Sequence, residues 1–90
     1  MSNTRKNQQE LASELEAAKT RVTIGAKYQH HKDSSKLYEV IGLGFFEAND
    51  ELCVIYQAQY GEQLTFVRPL ANWLERVDWQ GKTVPRFNNV

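Results

Sequence analysis

Two runs of β-favouring residues on either side of one glycine, between Val54 and Leu70, constrain this chain more than any other feature. Before the glycine, Val54, Tyr56, Ala58 and Tyr60 alternate with Ile55, Gln57 and Gln59. After it, Leu64, Phe66 and Arg68 alternate with Thr65 and Val67. Both runs have the period of two that sends successive side chains to opposite faces of a strand. Gly61 admits the positive φ of a tight turn. Pro69, with no N–H to donate, stops the second strand and redirects the chain. The stretch predicts a β-hairpin on which the rest of the chain packs.

Ninety residues make one domain at most, and a domain of this size buries only roughly 60% of the surface of its unfolded chain. The composition, 41% hydrophobic and 24% charged, is that of a folded protein and too apolar for a disordered one. Lys plus Arg equals Asp plus Glu at 11 each, so only a local patch can draw the molecule to nucleic acid or an anionic membrane. Cys53 is the single cysteine and has no partner for an internal disulfide. No Cys/His spacing suits a structural zinc, and no motif calls for a metal or a cofactor. A reducing compartment fits this pattern. The polar N-terminus has no apolar run like that of a signal peptide, and no stretch approaches the ~20 apolar residues of a membrane span. The expectation is a cytoplasmic protein without a membrane partner.

Residues 1–22 contain no aromatic residue, Gly or Pro and are rich in helix formers from Gln8 to Lys19. They predict an N-terminal helical extension, capped by Asn3 or Thr4. Leu11, Leu15, Ala18 and Val22 form one narrow apolar stripe on it, for which docking, self-pairing and fraying all remain open. Residues 23–90 form the body. Lys27 to Lys32 is an opening strand that ends in the loop Asp33-Ser-Ser-Lys36. Leu37 to Gly44 is a central strand, where Gly42 and Gly44 call for a bend or a close neighbouring backbone. Glu47 to Glu51 is a turn. The apolar positions 70, 73, 74 and 77 predict a short helical segment over 70–77. Asp78 to Lys82 is a turn, and Thr83 to Phe87 is a last strand, placed at an edge by Pro85. The layout is mainly β: about five strands with one helical turn, as in a small SH3-type barrel.

Ordered positions along the body are shared with a known bacterial family. They are Tyr28, His30 and Lys32; Tyr38-x-Val40-x-Gly42; Tyr56; Tyr60-Gly61; Arg68-Pro69-Leu70; Glu75 with Val77; and Gly81-Lys82-x-Val84-Pro85-Arg86-Phe87. From Gly25 to Phe87 the chain resembles the family called domain of unknown function 1653, with the N-terminal helix outside the match. The resemblance implies a small SH3-like barrel and no settled activity. The chain departs from the family at Phe46-Glu47-Ala48-Asn49, where a His-Ser-Glu-Thr run is usual. Phe66 and Trp73 exchange the family's usual Trp and Phe, and both are expected in the core.

The candidate site residues are His30, Lys32, Tyr38, Arg68 and Arg86. His30 and His31 invite a metal or acid/base role, but adjacent strand residues point to opposite faces. The alternative for His30 is a hydrogen bond to a loop carbonyl or a carboxylate. Arg68 and Arg86 each adjoin a proline and suit bidentate recognition of a carboxylate or phosphate. Their structural alternative is internal pairing, Arg68 with Glu39 and Arg86 with Glu75. Tyr28, Tyr38 and Tyr60 are candidates for an exposed aromatic strip that stacks bases or grips a peptide. Cys53 is expected to be a small core residue.

Four functions fit these residues. The first is a non-catalytic interaction module whose five-residue face binds a protein partner or an anionic ligand. The second is single-stranded nucleic-acid binding through Lys27, His30, His31, Lys32 and Lys36 with Tyr28 and Tyr38, although residues 23–90 hold seven bases against eight acids. The third is a homodimer joined by the stripe of Leu11, Leu15 and Val22. The fourth, an enzyme acting through His30 or Arg68, requires a deep pocket around them and has no nucleophile paired with a base.

Overall fold

The computed structural model describes residues 6–90. Helix α1 spans Gln8–Lys19. Asn3 and Thr4 lie outside the described residues. The cap is Asn7, in a reciprocal capping box: its carboxamide oxygen accepts from Glu10 N–H at 2.8 Å, and Glu10 Oε1 accepts from Asn7 N–H at 2.9 Å. The apolar stripe turns inward. Ala18 and Val22 are buried, while Leu11 and Leu15 are half-buried beside Phe45.

Strand β1 (Lys27–His30) turns directly into the long β2 (Asp33–Phe46), followed by β3 (Glu51–Ala58) and β4 (Thr65–Pro69). A short helix α2 (Leu70–Trp73) leads to β5 (Arg76–Trp79), β6 (Lys82–Pro85) and β7 (Phe87–Asn89). The antiparallel five-stranded sheet has the order β4-β3-β2-β1-β7, and β5 and β6 form a separate hairpin.

The expected hairpin is present as β3–β4, with Tyr56 opposite Phe66 and Val54 opposite Arg68. Its connection contains Gly61 at φ +57° and Gln63 at φ +54°. In the second hairpin Trp79 faces Lys82 across Gln80 and Gly81, at φ +52° and +79°. Two consecutive positive φ values are what a type I′ turn requires.

The barrel is not closed by hydrogen bonds, contrary to expectation: β4 and β7 are both edges, and the described residues form seven strands rather than about five. The sheet instead curls until side chains bridge its ends, with the Arg68 guanidinium of β4 lying 5.1 Å from the Phe87 ring centre of β7. Trp73 stacks on Phe87 at 3.8 Å and 5°, filling the gap from α2.

Other local expectations are also corrected. The helical turn covers only Leu70–Trp73, because residues 76–79 find a β partner in residues 82–85. Asp33 to Lys36 is strand rather than loop, with a register irregularity after Gln29. The last strand is split at Arg86. Its N–H donates to Glu75 carbonyl at 2.9 Å and its carbonyl accepts from His31 N–H at 3.0 Å, so one residue joins the hairpin to the main sheet. Ile41 is the extra residue of a bulge, since Val40 faces Tyr56 while Gly42 faces Ile55. A side chain at Gly42 would meet nothing within 4 Å, and one at Gly44 would meet only Ile55 Cδ1 at 3.5 Å. Neither glycine is therefore needed for close approach.

The core lies on the concave face: Tyr28, Val40, Val54, Tyr56 and Phe87 from the sheet, with Val22 and Trp73 closing over them. Cys53 is buried, as expected. Tyr28, a candidate for exposure, is buried, and its hydroxyl accepts from Thr23 N–H at 3.0 Å. Phe66, expected in the core, is 40% exposed. It shares the concave face with Tyr56 but sits on the edge strand, beyond the reach of Trp73's cover.

Trp73→Ala removes the largest side chain bridging sheet and helix. It should lower unfolding free energy by about 3–5 kcal/mol, against roughly 0.5 kcal/mol or less for Val67→Ala at an exposed edge position. Urea titration of both variants measures the contrast.

Candidate functional site

Pairing register puts His30, Tyr38, Arg68 and Phe87 on the concave face, the first three around the Phe87 ring on which Trp73 stacks. Phe87 is their common neighbour: His30 meets its ring at 5.1 Å, Tyr38 at 5.9 Å and the Arg68 guanidinium at 5.1 Å. Arg86 precedes Phe87 in the chain, so four of the five candidate residues converge. Lys32 stands apart on the exposed β1–β2 turn and contributes its backbone N–H, which donates to His30 Nδ1 at 3.2 Å.

The two arginines meet at Asn72, which the sequence reading overlooked. Arg68 Nη1 donates to Asn72 Oδ1 at 2.5 Å and Arg68 Nε to the Tyr56 hydroxyl at 3.2 Å. Arg86 Nε donates to the Asn72 carbonyl at 3.1 Å, and Arg86 Nη2 pairs with Glu75 Oε1 at 2.6 Å. The Arg86–Glu75 pair matches the expected internal partner. The Arg68–Glu39 pair does not form; Glu39 lies 3.7 Å from Lys27 Nζ instead. Asn72 had one sequence signal: it lies four residues beyond Arg68, in the helical turn that Pro69 starts.

His30 and His31 are not on opposite faces. The strand ends at His30, the chain turns, and the two rings come together at 4.3 Å. Burial holds the His30 imidazole down at about 4, with the charges of His31, Arg68, Arg86 and Lys32 acting in the same direction. Its Nδ1 accepts a backbone hydrogen bond, which requires the unprotonated atom. Tyr38 and Tyr60 share a hydrogen bond between hydroxyls at 2.7 Å. Burial, and then that bond, raise the Tyr38 phenol above its ordinary range. Tyr60 remains exposed, with Lys36 Nζ 5.1 Å from its ring centre. Among the described residues no three His, Cys, Asp or Glu side chains come together as metal ligands, and no helix is long and apolar enough to cross a membrane.

A family model described as protein of unknown function (DUF1653) matches residues 26–89, including every residue of this face. The chain belongs to this family. A crystal structure of a DUF1653 protein from Bordetella bronchiseptica is similar to it, with a TM-score of 0.67 and 29% identity, over 78% of this chain and 90% of that one. No curated protein matches the chain.

Because the folded His30 value lies below the ordinary 6.5, the unfolded chain binds the extra proton between those two values. Stability from this residue is therefore present above about pH 6.5 and falls as pH drops toward about 4. Urea midpoints across this window should decline with acid, and less steeply in His30→Gln. The His30 Cε1–H resonance should titrate near the lower value.

Proposed function

We propose that this DUF1653 chain is a non-catalytic interaction module, receiving an anionic group of a protein partner or ligand on the face of His30, Tyr38, Arg68 and Arg86. One observation carries the reading. Half-buried Arg68 is held by a neutral hydroxyl, a neutral carboxamide and a ring face, with no carboxylate paired to it among the described residues. A cation partly removed from water and left without a counter-charge favours an incoming carboxylate or phosphate. Arg86, by contrast, has Glu75 and serves to hold the site's edge. The Tyr38 and Tyr60 hydroxyls add polar partners beside Arg68, and exposed Lys32 adds positive charge at the rim. The reading asks only for binding, since no nucleophile is bonded to a base on this face.

Labelled protein titrated with acetate, inorganic phosphate, acidic peptides and short oligonucleotides should show amide and Arg68 Nε–H shifts centred on residues 30, 38, 68 and 86, weakening as salt rises. Arg68→Gln, still folded, should bind the responding anion about tenfold or more weakly. Unchanged affinity in that variant would overturn the reading.

A further inference from the structure

The β5–β6 hairpin meets β1 and β7 along a seam that leaves a groove of about 280 Å³. This groove opens on the convex side, where Gln29 projects because its neighbour Tyr28 is buried in the concave core. It lies just below the size of pockets that enclose drug-sized molecules, so it suits a single ring system. Trp79 and His31 meet edge to face in it at 5.3 Å and 81°. Two perpendicular rings make a corner in which a planar guest can lie flat on one and set its rim against the other. His30, Pro85 and Val84 complete the lining.

The rim of the groove is polar in a specific way. Gln29 and Asn88 face one another across the β1–β7 ladder, and Ser34 stands beside them. None of these three side chains has a hydrogen-bond partner among the described residues. Each carboxamide offers both donors and an acceptor, and the hydroxyl can do either. A hydrocarbon ring has no use for such groups, whereas a heteroaromatic ring with donors and acceptors in its own plane does. Lys32, one residue beyond His31, is exposed and has no ion pair among the described residues.

We propose that this groove binds a nucleobase, stacked in the Trp79–His31 corner and read along its edge by Gln29, Ser34 and Asn88, with the attached phosphate toward Lys32. Aromatic stacking with edge hydrogen bonds and a nearby cation is the general chemistry by which proteins hold unpaired bases. The groove adjoins the Arg68 face, since His30 lines both, but Arg68 itself does not line the groove. The base can arrive on a free mononucleotide or in a single strand.

The full chain, labelled with ¹⁵N, is titrated separately with four nucleosides, their 5′-monophosphates, inorganic phosphate, N-acetyltyrosinamide and short single-stranded oligonucleotides. At least one nucleoside should shift Gln29, His31, Asn88 and the Trp79 indole N–H together with a Kd of about 1 mM or tighter, and its monophosphate should bind more tightly at low salt. Inorganic phosphate alone should leave the indole signal unmoved. A mononucleotide as effective per base as the oligonucleotide points to a free nucleotide as the source, and a much tighter oligonucleotide to a single strand. Asn88→Ala and Gln29→Ala, at positions outside the core, should each weaken nucleoside binding severalfold, while Arg68→Gln leaves it unchanged. No nucleoside shift at these residues, or equal binding of N-acetyltyrosinamide, would overturn the proposal. Because the two alanine variants keep Trp79, the test does not depend on the hairpin surviving loss of that ring.

Discussion

The parallel stack of Trp73 on Phe87 is the contact on which the architecture depends. Phe87 belongs to one edge of the sheet, Trp73 follows the other edge, and no backbone ladder joins the two. Dispersion and burial between flat rings therefore do what hydrogen bonds do in a closed barrel. Tyr28 and Tyr56 set their rings against Trp73 at 5.3 and 4.9 Å, so the stack also organises the middle of the concave face. Where Trp73's cover ends, the sheet still curves but its side chains are no longer roofed. Tyr38, Arg68 and His30 stand at that boundary.

A polar layer lies over the aromatic one. Asn72 receives one guanidinium on its side chain and the other on its backbone, which ties both arginines to the helix carrying Trp73. The two are not equivalent in charge. Arg86 is neutralised by Glu75, whereas among the described residues Arg68 is held by neutral groups and ring electrons. Burial, and then the surplus positive charge, keep the His30 imidazole unprotonated down to about pH 4. The fold thus concentrates uncompensated charge at one half-buried point of a molecule with no net charge.

Much of this was legible from residue order, for reasons that can be given residue by residue. The β3–β4 hairpin was readable because alternation and a glycine agree locally, and Arg86 with Glu75 because both close on the same short β connection. Curvature is not local. It left Arg68 over Phe87 rather than beside Glu39, and it put Phe66 at an uncovered margin despite a strand pattern that predicts burial for its face. The histidine pair was misread because period-two reasoning was carried past the end of a strand into a turn. Asn72 was missed because an asparagine in one turn of helix has no periodicity to betray it. The convex groove joins a hairpin to a sheet that the chain reaches only after a change of direction at Arg86, so its residues are scattered across the sequence.

Val22 is 1% exposed and packs with the aromatic core, yet the stretch recognised as the family begins at Ala26. The boundary of recognisable ancestry and the boundary of the buried interior are therefore different lines in this protein. Cut at the first line, the chain would lose a stopper from its own interior, with van der Waals space opened beside Tyr28 and Trp73. A segment outside the family match can still be indispensable filling, because an apolar plug is constrained in volume and hardly at all in identity.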